Sequence, residues 1–184
     1  MKKIVISLSD IAVASPGVPV YLISTVSKSG IRNIAPYGMV MPVSHNPPIY
    51  VIGSDKDRDT YKNIVETEEF VLNVPSTSML EKVNLTGTKF PAEIDEFEKA
   101  NFTPIPASQV KPPLIAECRS HFECKLLNIY EITDTRVIII GEVVAVSIDQ
   151  EIFLKNFAKQ KGQLDPLFYV QGAYFGLGRY VGKR

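Results

Sequence analysis

Two long extended segments, residues 116–129 and 137–148, are linked across the polar turn Thr133–Arg136 (TDTR) and constrain the fold more than anything else in the chain. Both are dense in β-branched residues, which suit a pleated, half-buried surface, and the polar break between them marks an antiparallel hairpin. Upstream, residues 18–26 (VPVYLISTV) form a strand that ends in a turn at Ser27–Gly30. A second extended stretch, residues 34–42, is broken near Pro36 and Gly38, and residues 48–52 make a short third strand closed by Gly53.

Helical spacing then takes over. Asp59 stands as a cap before Tyr61, Ile64 and Val65, and a strand follows at residues 70–74, giving a β-loop-α-β unit. Ser78 and Glu81 have capping-box spacing ahead of Val83, with Gly87 as a stop. Residues 87–113 hold five prolines and read as a long connection with one helical turn at residues 95–100. After the hairpin, Ile152, Phe153, Asn156 and Phe157 fall near one face of a helix over residues 151–160, stopped by Gly162. The aromatic, glycine-rich tail is too apolar to stay unpacked. There is no repeat, and six or seven strands with two to four helices do not alternate as in a doubly wound sheet. The expected fold class is mostly β, a small antiparallel barrel with peripheral helices, in one domain spanning residues 1–184.

The formal net charge is zero, with 20 basic and 20 acidic residues, so no overall field draws the chain to nucleic acid or to an anionic membrane surface. Ser7, Ser9 and Asp10 interrupt any signal-like run, and no segment reaches the roughly 20 apolar residues of a membrane span. Cys118 and Cys124, six positions apart on a strand-like stretch, share a face but are too distant for a disulfide, and read as buried thiols. A reduced, cytoplasmic protein is the simplest expectation. His45 reads as a solvated loop residue and His121 as a satisfied surface or interface residue, which leaves no histidine-rich metal site. Dinucleotide, P-loop, HExxH and CxxC signatures are absent. What remains is anion chemistry: Ser54, Lys56, Arg58 and Thr60 lie where a strand end runs into a helix start, where free N–H groups and the helix dipole favour a phosphate. A solvated turn with a capping aspartate is the alternative on residue types alone.

The ordered series Ser24-Thr25, Gly30, Asn33-Ile34-Ala35-Pro36-Tyr37-Gly38, Pro47-Pro48, residues 58–64 (RDTYKNI), residues 69–74 (EFVLNV), Phe97, residues 123–126 (ECKL) and residues 140–144 (IGEVV) resembles the flavin reductase-like family, the FMN-binding split β-barrel proteins that include the flavoredoxins. The similarity covers about residues 15–180. It implies a homodimer with FMN near the subunit interface. Asn33, Ile34, Ala35, Pro36 and Tyr37 would run along the isoalloxazine ring, with Ser24 and Thr25 beneath it and the phosphate on Ser54, Arg58 and Thr60. Tyr169 or Tyr174 would cover the ring from the partner subunit. Gly38 departs from the serine or threonine that many relatives carry there, removing one hydroxyl contact. The implied activity is oxidoreductase chemistry carried mainly by the flavin, with NADH or NADPH as donor and free flavin, iron or a redox partner protein as acceptor, and with no catalytic side chain. An FMN carrier that reacts poorly with nicotinamide, or a flavin-less binding module, are the alternatives.

Overall fold

The computed structural model describes residues 3–153, 162–178 and 181. In chain order the strands are β1 (Val18–Pro19), β2 (Tyr21–Val26), β3 (Arg32–Tyr37), β4 (Val40–His45), β5 (Pro48–Asp55), β6 (Glu69–Asn73), β7 (Pro104–Ile105), β8 (Leu114–Ile115), β9 (Ser120–Glu131), β10 (Arg136–Ile148), β11 (Phe168–Val170) and β12 (Ala173–Phe175). The helices are α1 (Asp59–Thr67), α2 (Leu80–Thr86), α3 (Glu96–Lys99) and α4 (Gln150–Phe153). None of the described helices is long and apolar enough to cross a membrane.

Seven strands form the main sheet in the order β3-β2-β6-β9-β10-β5-β4, all neighbours antiparallel. β3 and β4 stand at opposite edges, yet only Gly38 and Met39 join them. Laid flat, six inter-strand spacings would separate the edges by about 28 Å. Two linking residues reach only about 10 Å. The sheet therefore curls until its edges meet, producing a barrel split along a seam between β3 and β4.

The interior is filled by Ile23, Val40, Ile52, Ile64, Phe70, Leu72, Cys124, Val137, Ile139 and Val143, with α1 contributing Ile64. A second core lies outside the barrel wall, where Leu22 and Ile34 meet Met79, Val83, Phe97, Phe102 and Leu167. Successive side chains on a strand point to opposite faces. β2 thus buries Leu22 in one core and Ile23 in the other. Gly141 marks a tight crossing inside the barrel, since a Cβ there would lie 2.3 Å from Phe70 Cζ.

The hairpin forms, shifted to Ser120–Glu131 and Arg136–Ile148, with irregular register between Ile140 and Gly141 and again between Val143 and Ala145. Its first strand starts four residues later than residue 116 because the Cys118 N–H closes a turn onto the Ile115 carbonyl. That turn also separates the cysteines: both are buried and free, but Cys118 lies in the outer core and Cys124 in the barrel, not on one face. Residues 18–26 divide at Val20, whose N–H bonds the Leu167 carbonyl, so that β1 pairs with β11 while β2 joins the main sheet. Gly53 does not close the third strand, since its N–H bonds the Met39 carbonyl and β5 continues to Asp55.

The helix starts differ in detail from the expectation. Arg58, not Asp59, is the extended N-cap of α1, and its side chain makes no capping bond. Asp59 is the first helical residue and pairs with Lys62 at 3.0 Å. Ser78 sits in a 3-10 turn bonded to Ser76 at 2.7 Å, and α2 begins two residues later without a side-chain cap. Gly87 does cap its end, and Asp95 caps α3 through the Phe97 and Glu98 N–H groups. Of the helix expected over residues 151–160, residues 151–153 are helical, and Asn156 and Phe157 fall outside the described residues. Gly162 is itself helical, within residues 162–164, so it is no stop.

Candidate functional site

A cleft of about 210 Å³ opens at the seam. Ala35, Pro36, Tyr37 and Gly38 form one wall, Gly53, Ser54 and Asp55 the facing wall, and Arg58, Thr86, Gly87 and Arg136 its ends. The walls are tied together by a hydrogen bond between Tyr37 Oη and Ser54 Oγ at 2.9 Å. Burial pushes the Tyr37 phenol above its ordinary pKa, against the lowering effect of its bonds to Ser54 and Thr60, so it stays protonated. Because β3 is an edge strand, backbone groups along its outer side have no ladder partner in the sheet. Pro36, which has no N–H, is tolerated at such an edge. The end of α2 comes close here, and a Cβ on Gly87 would lie 3.4 Å from Pro36 Cγ.

The cleft continues past Arg58 into a smaller recess lined by Asn33, Ala35, Asp57, Thr60, Thr88, Lys89, Phe90 and Glu96. Arg58 Nε is 3.9 Å from Asp55, whose other oxygen is held at 2.8 Å by Arg136 Nε. The Arg58 side chain is half exposed and loosely paired, leaving its guanidinium available at the junction of cleft and recess. Two arginines, a lysine and hydroxyls make a donor set suited to a phosphate, beside the outer edge of β3. The residues present fit a flavin mononucleotide: Arg58 offers the phosphate a countercharge where cleft and recess meet, and the 35–38 wall lies beside it.

The structure gathers Ala35, Pro36, Tyr37, Gly38, Ser54 and Arg58 around the cleft, with Asn33 and Thr60 in the adjoining recess. It places others elsewhere. Ile34 turns its side chain into the outer core. Ser24 is fully buried, donating to the Pro113 carbonyl at 2.6 Å and accepting from Asn73 Nδ2 at 3.0 Å. Thr25 is also fully buried and donates to Asn33 Oδ1 at 3.2 Å, an oxygen that Thr60 Oγ1 reaches at 3.0 Å. Tyr169 and Tyr174 stack edge-to-face with centroids 5.4 Å apart on β11 and β12, outside the walls. Val18, paired with Tyr169, nevertheless borders Gly38, where a Cβ would lie 2.7 Å from Val18 Cγ2. A side chain at position 38 would therefore require the exposed Val18 side chain to shift. His45 is exposed at the end of β4, as expected. His121, expected at the surface, is buried between Ser147 Oγ and the Ile115 carbonyl, and burial lowers its pKa.

Sequence reasoning missed Met39, Gly53, Thr86, Gly87, Lys89, Glu96 and Arg136. Gly87 and Arg136 carried local signals, as helix stop and turn residue, but those signals report backbone geometry and not proximity to a cleft. Glu96 carried none: its carboxylate accepts from the Ile34 N–H and Asn33 Nδ2, each at 2.7 Å, across more than sixty residues of chain.

An uncharacterized protein of Aquifex aeolicus (strain VF5) is 38% identical over 162 residues, covering 85% of this chain and 82% of its own length. A flavoredoxin from Methanosarcina acetivorans superposes with a TM-score of 0.83 at 25% identity, covering all of this chain and 95% of its own. A split barrel domain protein from Shewanella frigidimarina NCIMB 400 gives 0.87 at 21% identity, covering 97% and 93%, and shows the fold to be the split barrel. The flavin reductase like domain family matches residues 15–178, nearly the whole sequence, and the chain belongs to that family, a membership that supports a flavin-related oxidoreductase.

Proposed function

We propose that the chain binds FMN in the seam cleft and passes electrons through it, accepting them from NADH or NADPH and delivering them to free flavin, iron or a redox partner protein. The observation that carries this reading is the convergence of Ala35–Gly38 with Ser54 and Arg58, from two separate segments, on one cleft. Arg58, with the Thr60 region and Lys89, would hold the phosphate, and the β3 edge would hydrogen-bond the polar margin of the ring. When bound, the flavin supplies the hydride and electron chemistry. The protein's own contribution is placement: Tyr37, neutral and bonded to Ser54, fixes the distance between the two walls.

A homodimer completes the site in this reading. An apolar groove of about 670 Å³ continues from the cleft, sharing Gly38, Met39, Gly53, Ser54 and Arg136 with it. Met39, Met41 and Ile132, which line it, are all more than half exposed, an apolar face of the kind that marks an association surface. A second copy of the chain seated there would wall the cleft on its open side.

The test is to purify the protein without added cofactor, record its visible spectrum, identify flavin released by acid and measure the particle mass by light scattering. FMN released at about one equivalent per chain from a dimer is the expected result. A colourless monomer that takes up no FMN on incubation overturns the proposal. Bleaching of the flavin band by NADH or NADPH under anaerobic stopped flow is expected of a reductase, and no bleaching by either would reduce the reading to a carrier.

A further inference from the structure

Glu96 is a buried carboxyl group that has no ion-pair partner among the described residues. Its Oε2 accepts from the Ile34 N–H and from Asn33 Nδ2, so it holds the start of the cleft wall in place from α3. It also lines the recess that Arg58, Thr60 and Lys89 share. The charged groups around it are all accounted for. From α1 come Asp59 and Lys62, which pair with each other at 3.0 Å. From β3 comes Arg32, held by Asp95 at 2.6 Å and by Glu98 at 3.4 Å. From the loops come Arg58 near Asp55, Lys89 paired with Asp57 at 3.3 Å, and the carboxylate of Glu93, while α1 adds the carboxylate of Glu66 on the far side.

We propose that Glu96 is a positioning residue that takes up a proton when a phosphate dianion enters the recess beside Arg58 and Thr60, coupling the phosphate end of the site to pH. This rests on the FMN reading above. Burial raises the Glu96 carboxyl to about 7, opposed by the Ile34 N–H and reinforced by Asp59 and Asp95, so both protonation states are accessible near neutrality. A second dianionic group in the same recess disfavours the ionised carboxylate further. The balance is simple: the phosphate enters, one solvent proton adds to the free oxygen of Glu96, and Oε2 keeps accepting from Ile34 and Asn33. The strand is held in both states, and only the charge changes.

The test compares FMN with riboflavin, which lacks the phosphate, in the wild type and in Glu96→Gln, whose amide oxygen keeps the acceptor and mimics the neutral acid. Flavin fluorescence titrations between pH 6 and 8.5 give the affinities. FMN affinity of the wild type is expected to fall, relative to E96Q, as pH rises above 7, by about tenfold for each unit by which the phosphate raises the Glu96 pKa. Riboflavin affinity should show no such difference. The second ionisation of FMN itself, near pH 6 for a phosphate monoester, is common to both proteins and cancels. Calorimetry of FMN binding to the wild type in two buffers of different ionisation heat reads the proton uptake directly and does not depend on the variant folding. FMN bound more tightly than riboflavin, but with parallel profiles for wild type and E96Q and no proton uptake, overturns the role of Glu96 alone. Equal affinity for FMN and riboflavin at every pH overturns the phosphate assignment itself, and the proposal with it.

Discussion

Replacing Arg58 with alanine isolates the phosphate contact from the rest of the site. The Arg58 backbone carbonyl accepts from the Lys62 N–H at the start of α1, a bond the substitution leaves in place. The side chain makes no capping bond, and Asp55 keeps its closer partner Arg136 at 2.8 Å, so neither helix nor turn depends on the guanidinium. A hydrogen bond to a charged group contributes about 1.5–3 kcal/mol. The Arg58 side chain is 51% exposed, which argues for the lower part of that range. A loss of about 1.5–2 kcal/mol corresponds to roughly a 10- to 30-fold weaker Kd. Fluorescence titration of the apoprotein should show that loss for FMN and a change of less than about twofold for riboflavin, because riboflavin offers Arg58 no phosphate to pair with. Equal losses for the two flavins, or none for FMN, would refute the assignment of Arg58.

Gly141→Ala places a methyl group against Phe70 Cζ in the packed barrel, and the overpacking should cost about 1–3 kcal/mol in urea unfolding. Gly38→Ser should destabilise the chain through Val18, and Val18→Ala combined with it should recover part of that loss in a double-mutant cycle. Glu123 is buried, which pushes its carboxyl up, but the Ser108 and Gln109 N–H groups and the Ser108 hydroxyl outweigh this and hold it below the ordinary carboxylate range. A depressed folded pKa stabilises above the unfolded value of about 4.3 and loses that contribution as pH falls. Glu123→Gln should therefore be markedly less stable than wild type at pH 7, with the two urea midpoints converging below about pH 4. A constant difference between them across that range would contradict the hydrogen-bonding account.

The sequence disclosed those parts of this fold that rest on local chemistry. The β9–β10 hairpin, the Gly87 stop and the Asp95 turn each depend on neighbours within a few residues, and each forms close to where it was expected. Strand order depends on pairing across long separations, such as β10 against β5, and has no local trace. The site divides the same way. Arg58, Ser54 and Ala35–Gly38 reach the cleft because strand ends and edges carried both the motif and the geometry. Ser24 and Thr25 lie in the same ordered motif but face inward, where Asn73, Asn33 and Pro113 satisfy them. Alternation along β2 could have flagged this only if it were known that both faces of the strand are covered. Glu96 sits in a proline-rich connection read from sequence only as a long loop with one helical turn, and the packing of α3 on β3 reveals what its carboxylate holds.

The short link at Gly38 and Met39 also bears on how the chain folds. Strands adjacent in sequence ordinarily pair first, because little loop entropy must be lost. Here the two neighbours do not pair: the link keeps their facing ends close from the outset, and the barrel closes around it only when the long-range pairings of β2 with β6, β6 with β9 and β5 with β10 are in register. Closure of the barrel is consequently a late, highly non-local event, and topologies of this kind fold slowly for their size. The cleft at the seam should therefore be among the last regions to gain protection from hydrogen exchange during refolding, well after the β9–β10 hairpin.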